Sequence, residues 1–176
     1  LLLGHSLFKT GQLGYPLEYF TPNNFTQWCR RFGTTGIKDT YEMIKRYRTS
    51  PNGYFGCKLH FVHFRPLFRE YEIDELFPKA KFIYIRRKDL LGQAVSLAKA
   101  RKTGSWISAQ KPVREVSYSC AAIERALKDI VRDNARWEYL FSRRGWPYFE
   151  LYYEDFLKNP KQMIEEIALF LGAELK

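Results

Sequence analysis

The sequence predicts an α/β domain, a parallel sheet flanked by helices in three layers. Two patterns carry that expectation. The apolar run KFIYI (81–85) passes straight into a helical pattern that starts at Asp89, and the aromatic run WPYFELYYED (146–155) lies between two further helical stretches. Parallel strands need a long crossover, usually a helix, whereas antiparallel ones can be joined by a tight turn. Composition agrees: 45% of the 176 residues are hydrophobic and 27% charged, enough to close a core. No repeat, low-complexity stretch or linker marks a second domain, so a single domain over residues 1–176 is expected.

Taken in order, residues 1–10 read as a helix stopped at Gly11, followed by a loop punctuated by Gly14, Pro16 and Pro22. Two short helices are expected at 25–32 and 38–48, the second with Ile37, Tyr41, Ile44 and Tyr47 at steps of three and four. SPNGYFG (50–56) is a turn. YFGCKLHFV (54–62) follows with the aromatic and apolar content of a strand. A helix is expected around 64–71. KFIYI, apolar throughout, has the character of a strand buried on both faces.

From Asp89 the apolar residues Leu91, Ala94, Val95 and Ala98 mark one helix face. After a loop over 102–112, a long helix is expected from Glu115 to its stop at Gly145, with Val116, Cys120, Ile123, Leu127, Ile130, Trp137 and Phe141 in helical register. A third strand in 146–155 and a last helix, with Pro160 in its first turn and Gly172 past its end, complete the chain.

Charge and composition narrow the function. There are 29 Lys and Arg against 19 Asp and Glu, a net charge of +10, so an anionic partner is expected. Nucleic acid, a phosphate-bearing small molecule and acidic lipid all satisfy that charge. No apolar run approaches the ~18–20 residues of a membrane helix, and no signal peptide is recognisable. Cys29, Cys57 and Cys120 are far apart and lack CxxC spacing, which favours a reducing, cytoplasmic setting. His, Cys and carboxylates do not cluster at metal-ligand spacing, so no metal is expected.

Three constellations carry chemistry. In KFIYIRRKDLLGQAVSL (81–97) a strand runs into a capped helix, whose unpaired N–H groups and partial positive charge suit an anion. Arg86 and Arg87 stand at the junction, Asp89 is the expected cap, and Ser96 returns to the same helix face seven residues later. The same residues also suit a solvated helix surface. In GYPLEYF (14–20), Glu18 sits in an aromatic loop where lost hydration would raise its pKa and suit it to accept a proton from a hydroxyl. In CKLH (57–60), strand alternation sends Lys58 and His60 to one side, a cation beside a group that titrates near neutral pH. Trp106 offers an aromatic face to a sugar, or to the core.

The wording IxRxDxxxQAVSLxxAxxT over 85–103 resembles the trehalose 2-sulfotransferase family of bacterial sulfotransferases. TGQLGYPLEYF, RTSPNGYFGCKLHF, KTGSW and YYEDFLKNP agree with it in order. The resemblance implies a P-loop-NTPase-like sulfotransferase fold and transfer of a sulfuryl group from 3'-phosphoadenosine 5'-phosphosulfate (PAPS) to a hydroxyl of a carbohydrate or glycolipid. It implies that Arg87 and Ser96 bind the donor's 3'-phosphate, that Lys58 binds donor or sulfate, and that Glu18 is the general base. His60 is the rival, because the K-x-H order also resembles animal cytosolic sulfotransferases, whose His is the base.

That family opens with a strand and a Ser/Gly-rich loop for the 5'-phosphosulfate, and carries a C-terminal stretch that touches the nucleotide. The expectation is that both lie outside residues 1–176. Two other classes compete: a P-loop-type nucleotide-binding kinase, and a basic nucleic-acid-binding module whose Tyr and Phe stack on bases. The scattered basic residues argue against nucleic acid; the missing G-x-x-x-x-G-K sequence leaves the kinase reading open, and the resemblance carried by R-x-D-x-x-x-Q-A-V-S argues for a sulfate over a phosphate donor. The aromatic loops would suit a homodimer.

Overall fold

Aromatic and aliphatic residues at helical spacing build the core, and glycines in left-handed conformation end several of the helices. The computed structural model describes residues 2–70, 73–106 and 118–175. In chain order the elements are α1 (Leu2–Lys9), α2 (Pro22–Phe32), α3 (Ile37–Arg48), α4 (Phe61–Glu70), α5 (Ile73–Leu76), β1 (Phe82–Arg86), α6 (Leu90–Thr103), α7 (Cys120–Arg144), β2 (Tyr148–Tyr152), α8 (Tyr153–Lys158) and α9 (Pro160–Leu171). They gather into two units, Leu1–Lys81 with Asn159–Lys176, and Phe82–Lys158.

The first unit is helical. Tyr19, Phe20, Tyr41, Ile44 and Leu76 form its core, with Leu17, Trp28, Phe32, Phe55, Cys57 and Leu59 packed against them. Tyr41 and Ile44 point inward as their spacing requires, while Tyr47, in the same series, is exposed. Thr21 caps α2 by accepting from the Asn24 N–H at 3.3 Å, and Gly33 ends it. Helix α9 belongs to this unit, where Lys81 Nζ donates to the carbonyls of Phe170 (2.8 Å) and Leu171 (3.1 Å). A cation on the last carbonyls of a helix complements its dipole.

The strand expected at 54–62 does not form. The segment is extended, but among the described residues its one β-bridge is the parallel pair Leu17↔Cys57, and the chain is already helical from Phe61. Residues 14–16 run close beside 54–56, but Pro16, next to the bridge, brings no N–H to extend the pairing.

In the second unit β1 and β2 pair in parallel, Phe82 with Tyr148 through Arg86 with Tyr152, joined by a connection that includes α6 and α7. Tyr84 is buried against Phe141 of α7, and Phe141 stacks on Tyr148 at 4.5 Å between centroids. Ala94 and Ala126, both fully buried, let α6 and α7 approach closely, and Leu90, Leu97, Ala98, Ile123, Leu127 and Ile130 complete the contact.

The fold is thus α/β with a small parallel sheet. Among the described residues the sheet has two strands, fewer than the three-layer, P-loop-NTPase-like arrangement expected. Nor is β1 buried on both faces, since Ile85 is 43% exposed. The buried face of α6 is rotated from the one read in the sequence: Leu91 is exposed and Leu90 turns inward. Helix α7 starts at Cys120 behind the cap Ser119; the expected first residues 115–117, like most of the loop 102–112, lie outside the described residues. No helix of the described residues is long and apolar enough to cross a membrane.

Candidate active site

The Leu17↔Cys57 bridge sets the geometry of the first unit's candidate residues. The Lys58 N–H donates to the Leu17 carbonyl at 2.8 Å. In extended backbone, neighbours alternate sides. Leu17, Tyr19, Cys57 and Leu59 therefore turn into the aromatic core, and Glu18, Lys58 and His60 turn outward together. Gly14 makes the approach possible: it has φ +68°, and a Cβ there would stand 2.8 Å from the Tyr54 carbonyl.

Lys58 Nζ donates to Glu18 Oε1 at 2.6 Å, and the His60 Nε2–H donates to the same oxygen at 3.2 Å. The Glu18 backbone is held as well, its carbonyl accepting from Asn24 Nδ2 at 2.6 Å. Aromatic surroundings were expected to raise the Glu18 pKa. The opposite holds. The hydrogen bond from His60, then the bond and charge of Lys58, outweigh burial and bring the carboxyl down to about 2. His63 packs its ring edge-on to His60 at 5.6 Å, and its pKa is lowered by burial and then by the charge of His60. Beneath them, desolvation pushes the Cys57 thiol up to about 12, so it supplies no thiolate near neutral pH.

In the second unit, Asp89 caps α6 as expected, its Oδ1 accepting from the Gly92 N–H at 2.8 Å. A Cβ on residue 92 would meet that carboxylate, so any larger residue would require the cap to shift. The backbone N–H groups expected to face a bound anion are in part already engaged: Gly92 by Asp89, and Lys88 by Glu154 Oε2 at 3.0 Å. These helix-start N–H groups are thus less available to an anion than the sequence suggests.

The two arginines at this junction differ. Arg86 is bound to Glu150 at 2.9 Å and Glu138 at 3.2 Å. Arg87 lays its guanidinium over the Tyr153 ring, 4.1 Å from the centroid, with Glu154 the carboxylate that feels its charge. Ser96 is exposed on α6, six residues beyond Leu90, which corresponds to roughly 9 Å along the axis. Tyr153 and Glu154 escaped sequence reasoning, although the signal was there: β2 pairs with β1 in parallel, so the residues that follow each strand emerge side by side.

Trp106 is 62% exposed. A cleft of about 500 Å³ lined by Gln12, Asn52, Tyr54 and Glu174 contains none of the candidate residues. Among the described residues no three His, Cys, Asp or Glu side chains converge on a metal site.

A family model described as Stf0 sulphotransferase matches residues 1–176. No curated protein matches the chain.

Proposed function

The chain belongs to the Stf0 sulphotransferase family and is a sulfotransferase, and on that premise we propose that it moves a sulfuryl group from PAPS to a hydroxyl of a carbohydrate or glycolipid. The observation that carries the reading is the convergence of Lys58 Nζ and His60 Nε2 on one oxygen of Glu18. A carboxylate, an imidazole and an ammonium within hydrogen-bond reach are the groups the transfer needs.

In this reading the acceptor oxygen attacks sulfur while the bond from sulfur to the 5'-phosphate oxygen breaks. The products are a sulfate ester and adenosine 3',5'-bisphosphate. Lys58 leaves Glu18 for the moving sulfuryl oxygens and offsets their charge, and Glu18, released from the ammonium, takes the hydroxyl proton. Arg87 and Ser96 hold the donor's 3'-phosphate, the guanidinium by charge and the hydroxyl by a hydrogen bond. Arg86, already paired with Glu150 and Glu138, is given no part in that role here.

A second assignment of the base has its own support. A carboxylate with a pKa of about 2 is a weak proton acceptor, and its bond to Nε2–H leaves the other ring nitrogen of His60 with a free lone pair. His60 would then be the base and Glu18 the group that orients it. Transfer of labelled sulfuryl from PAPS to a panel of sugars tests the function, and no incorporation into any hydroxyl acceptor would refute it. Glu18→Gln and His60→Ala separate the bases: the one whose removal abolishes kcat at every pH is the proton acceptor.

A further inference from the structure

The corner that follows β2 meets the corner that follows β1 residue by residue. The Tyr153 ring lies under the Arg87 guanidinium at 4.1 Å, Glu154 Oε2 accepts the Lys88 N–H at 3.0 Å, and Asp155 Oδ1 accepts from Lys88 Nζ at 2.7 Å. Buried Leu151 and Phe156 anchor this corner on either side, at 3% and 1% exposure. Tyr153 and Glu154 therefore stand on a fixed base. Arg86, one residue away, has carboxylate partners for its N–H groups, whereas Arg87 has a ring against its face.

That difference matters chemically. A guanidinium donates only in its own plane. An aromatic ring on one face strips water from that face and restricts the side-chain rotamer, but takes none of the in-plane donors. The stacked Arg87 keeps its edge for a two-point acceptor such as a pair of phosphate oxygens. Glu154 fixes the adjoining backbone, and its ionised form is favoured by the Lys88 N–H and by the charge of Arg87.

We propose that Tyr153 and Glu154 are positioning residues for Arg87, holding its guanidinium edge toward the 3'-phosphate of the nucleotide through the ring stack and the clamp on Lys88. This rests on the assignment of Arg87 to that phosphate. The role needs the ring of Tyr153 but not its hydroxyl, and an acceptor at residue 154 but not its charge.

The test is calorimetric titration of the full chain with adenosine 3',5'-bisphosphate and with adenosine 5'-monophosphate, which lacks the 3'-phosphate. Tyr153→Leu is expected to weaken the bisphosphate about tenfold and leave the monophosphate unchanged. Tyr153→Phe is expected to match the parent, and Tyr153→Leu to cost nothing further in an Arg87→Ala background. Glu154→Ala should reproduce the selective loss and Glu154→Gln should restore binding; this pair decides the question if Tyr153→Leu does not fold. Equal weakening of both nucleotides, or of neither, would overturn the positioning role. If Arg87→Ala itself leaves bisphosphate affinity unchanged, the underlying assignment fails instead.

Discussion

Lys58 Nζ stands 2.6 Å from Glu18 Oε1, across a single backbone bridge that turns both side chains outward. The carboxylate is therefore neutralised in the resting protein. It becomes a competent base only when the ammonium is drawn to something more negative, which in the proposed reaction is the donor's sulfuryl group. Binding of donor and activation of the base would then be one event.

Lys58→Met tests that coupling. Losing both the bond and the charge should raise the Glu18 pKa from about 2 toward the ordinary carboxylate range, since two of the causes that lower it come from Lys58. The acid limb of the kcat/KM–pH profile, which reports the free enzyme, should move upward, and kcat should fall by about a hundredfold through lost charge stabilisation. An unchanged limb would show that Glu18 is not the titrating base.

The same depressed pKa bears on stability. Ionised Glu18 stabilises the folded state above its unfolded pKa of about 4.5, and that contribution is lost as pH falls from there toward about 2. With the side chain 30% exposed, solvent screening reduces it to the order of 1 kcal/mol. Urea midpoints of the parent and Glu18→Gln should differ at about pH 6 and converge steadily below about pH 4.5.

The neighbouring arginines should separate cleanly. Arg87→Ala and Ser96→Ala are each expected to weaken adenosine 3',5'-bisphosphate by about 1–3 kcal/mol, as for a hydrogen bond to a charged group. Arg86→Ala should leave nucleotide affinity near the parent value and lower the melting temperature, because it strands Glu150 and Glu138. Titration and thermal melts on the three variants decide it.

Helix α6 offers a cycle within its first turn. Asp89→Ala should cost about 1 kcal/mol through the lost cap. Gly92→Ala, which elsewhere in a helix would gain up to about 1 kcal/mol, should gain nothing here because its Cβ meets the Asp89 carboxylate. In the Asp89→Ala background that gain should return. Equilibrium urea unfolding of the four proteins measures the coupling.

What the sequence disclosed follows the range of the interactions. The stops at Gly145 and Gly172 and the cap at Asp89 depend on a few adjacent residues and were legible. So was the shared side of Lys58 and His60, which needs only extended backbone. The aromatic and apolar content of 54–62 misled, because a strand also requires a neighbour to pair with, and one β-bridge is all that forms there among the described residues. The Glu18 pKa was misjudged in sign, since its partners lie 40 and 42 residues away. Glu154 meets Lys88 across 66 residues, through a parallel register that no local pattern reveals.

Trp28 has a practical consequence. It is the one tryptophan in the unit that holds Glu18, Lys58 and His60; Trp106, Trp137 and Trp146 belong to the other. Its indole stacks on Phe32 and lies near the guanidinium groups of Arg31 and Arg48. Replacing the other three with phenylalanine would leave a protein whose emission, excited beyond the tyrosine absorption, comes from a single indole, so that loosening of this half under denaturant could be followed by colour, independently of its neighbour.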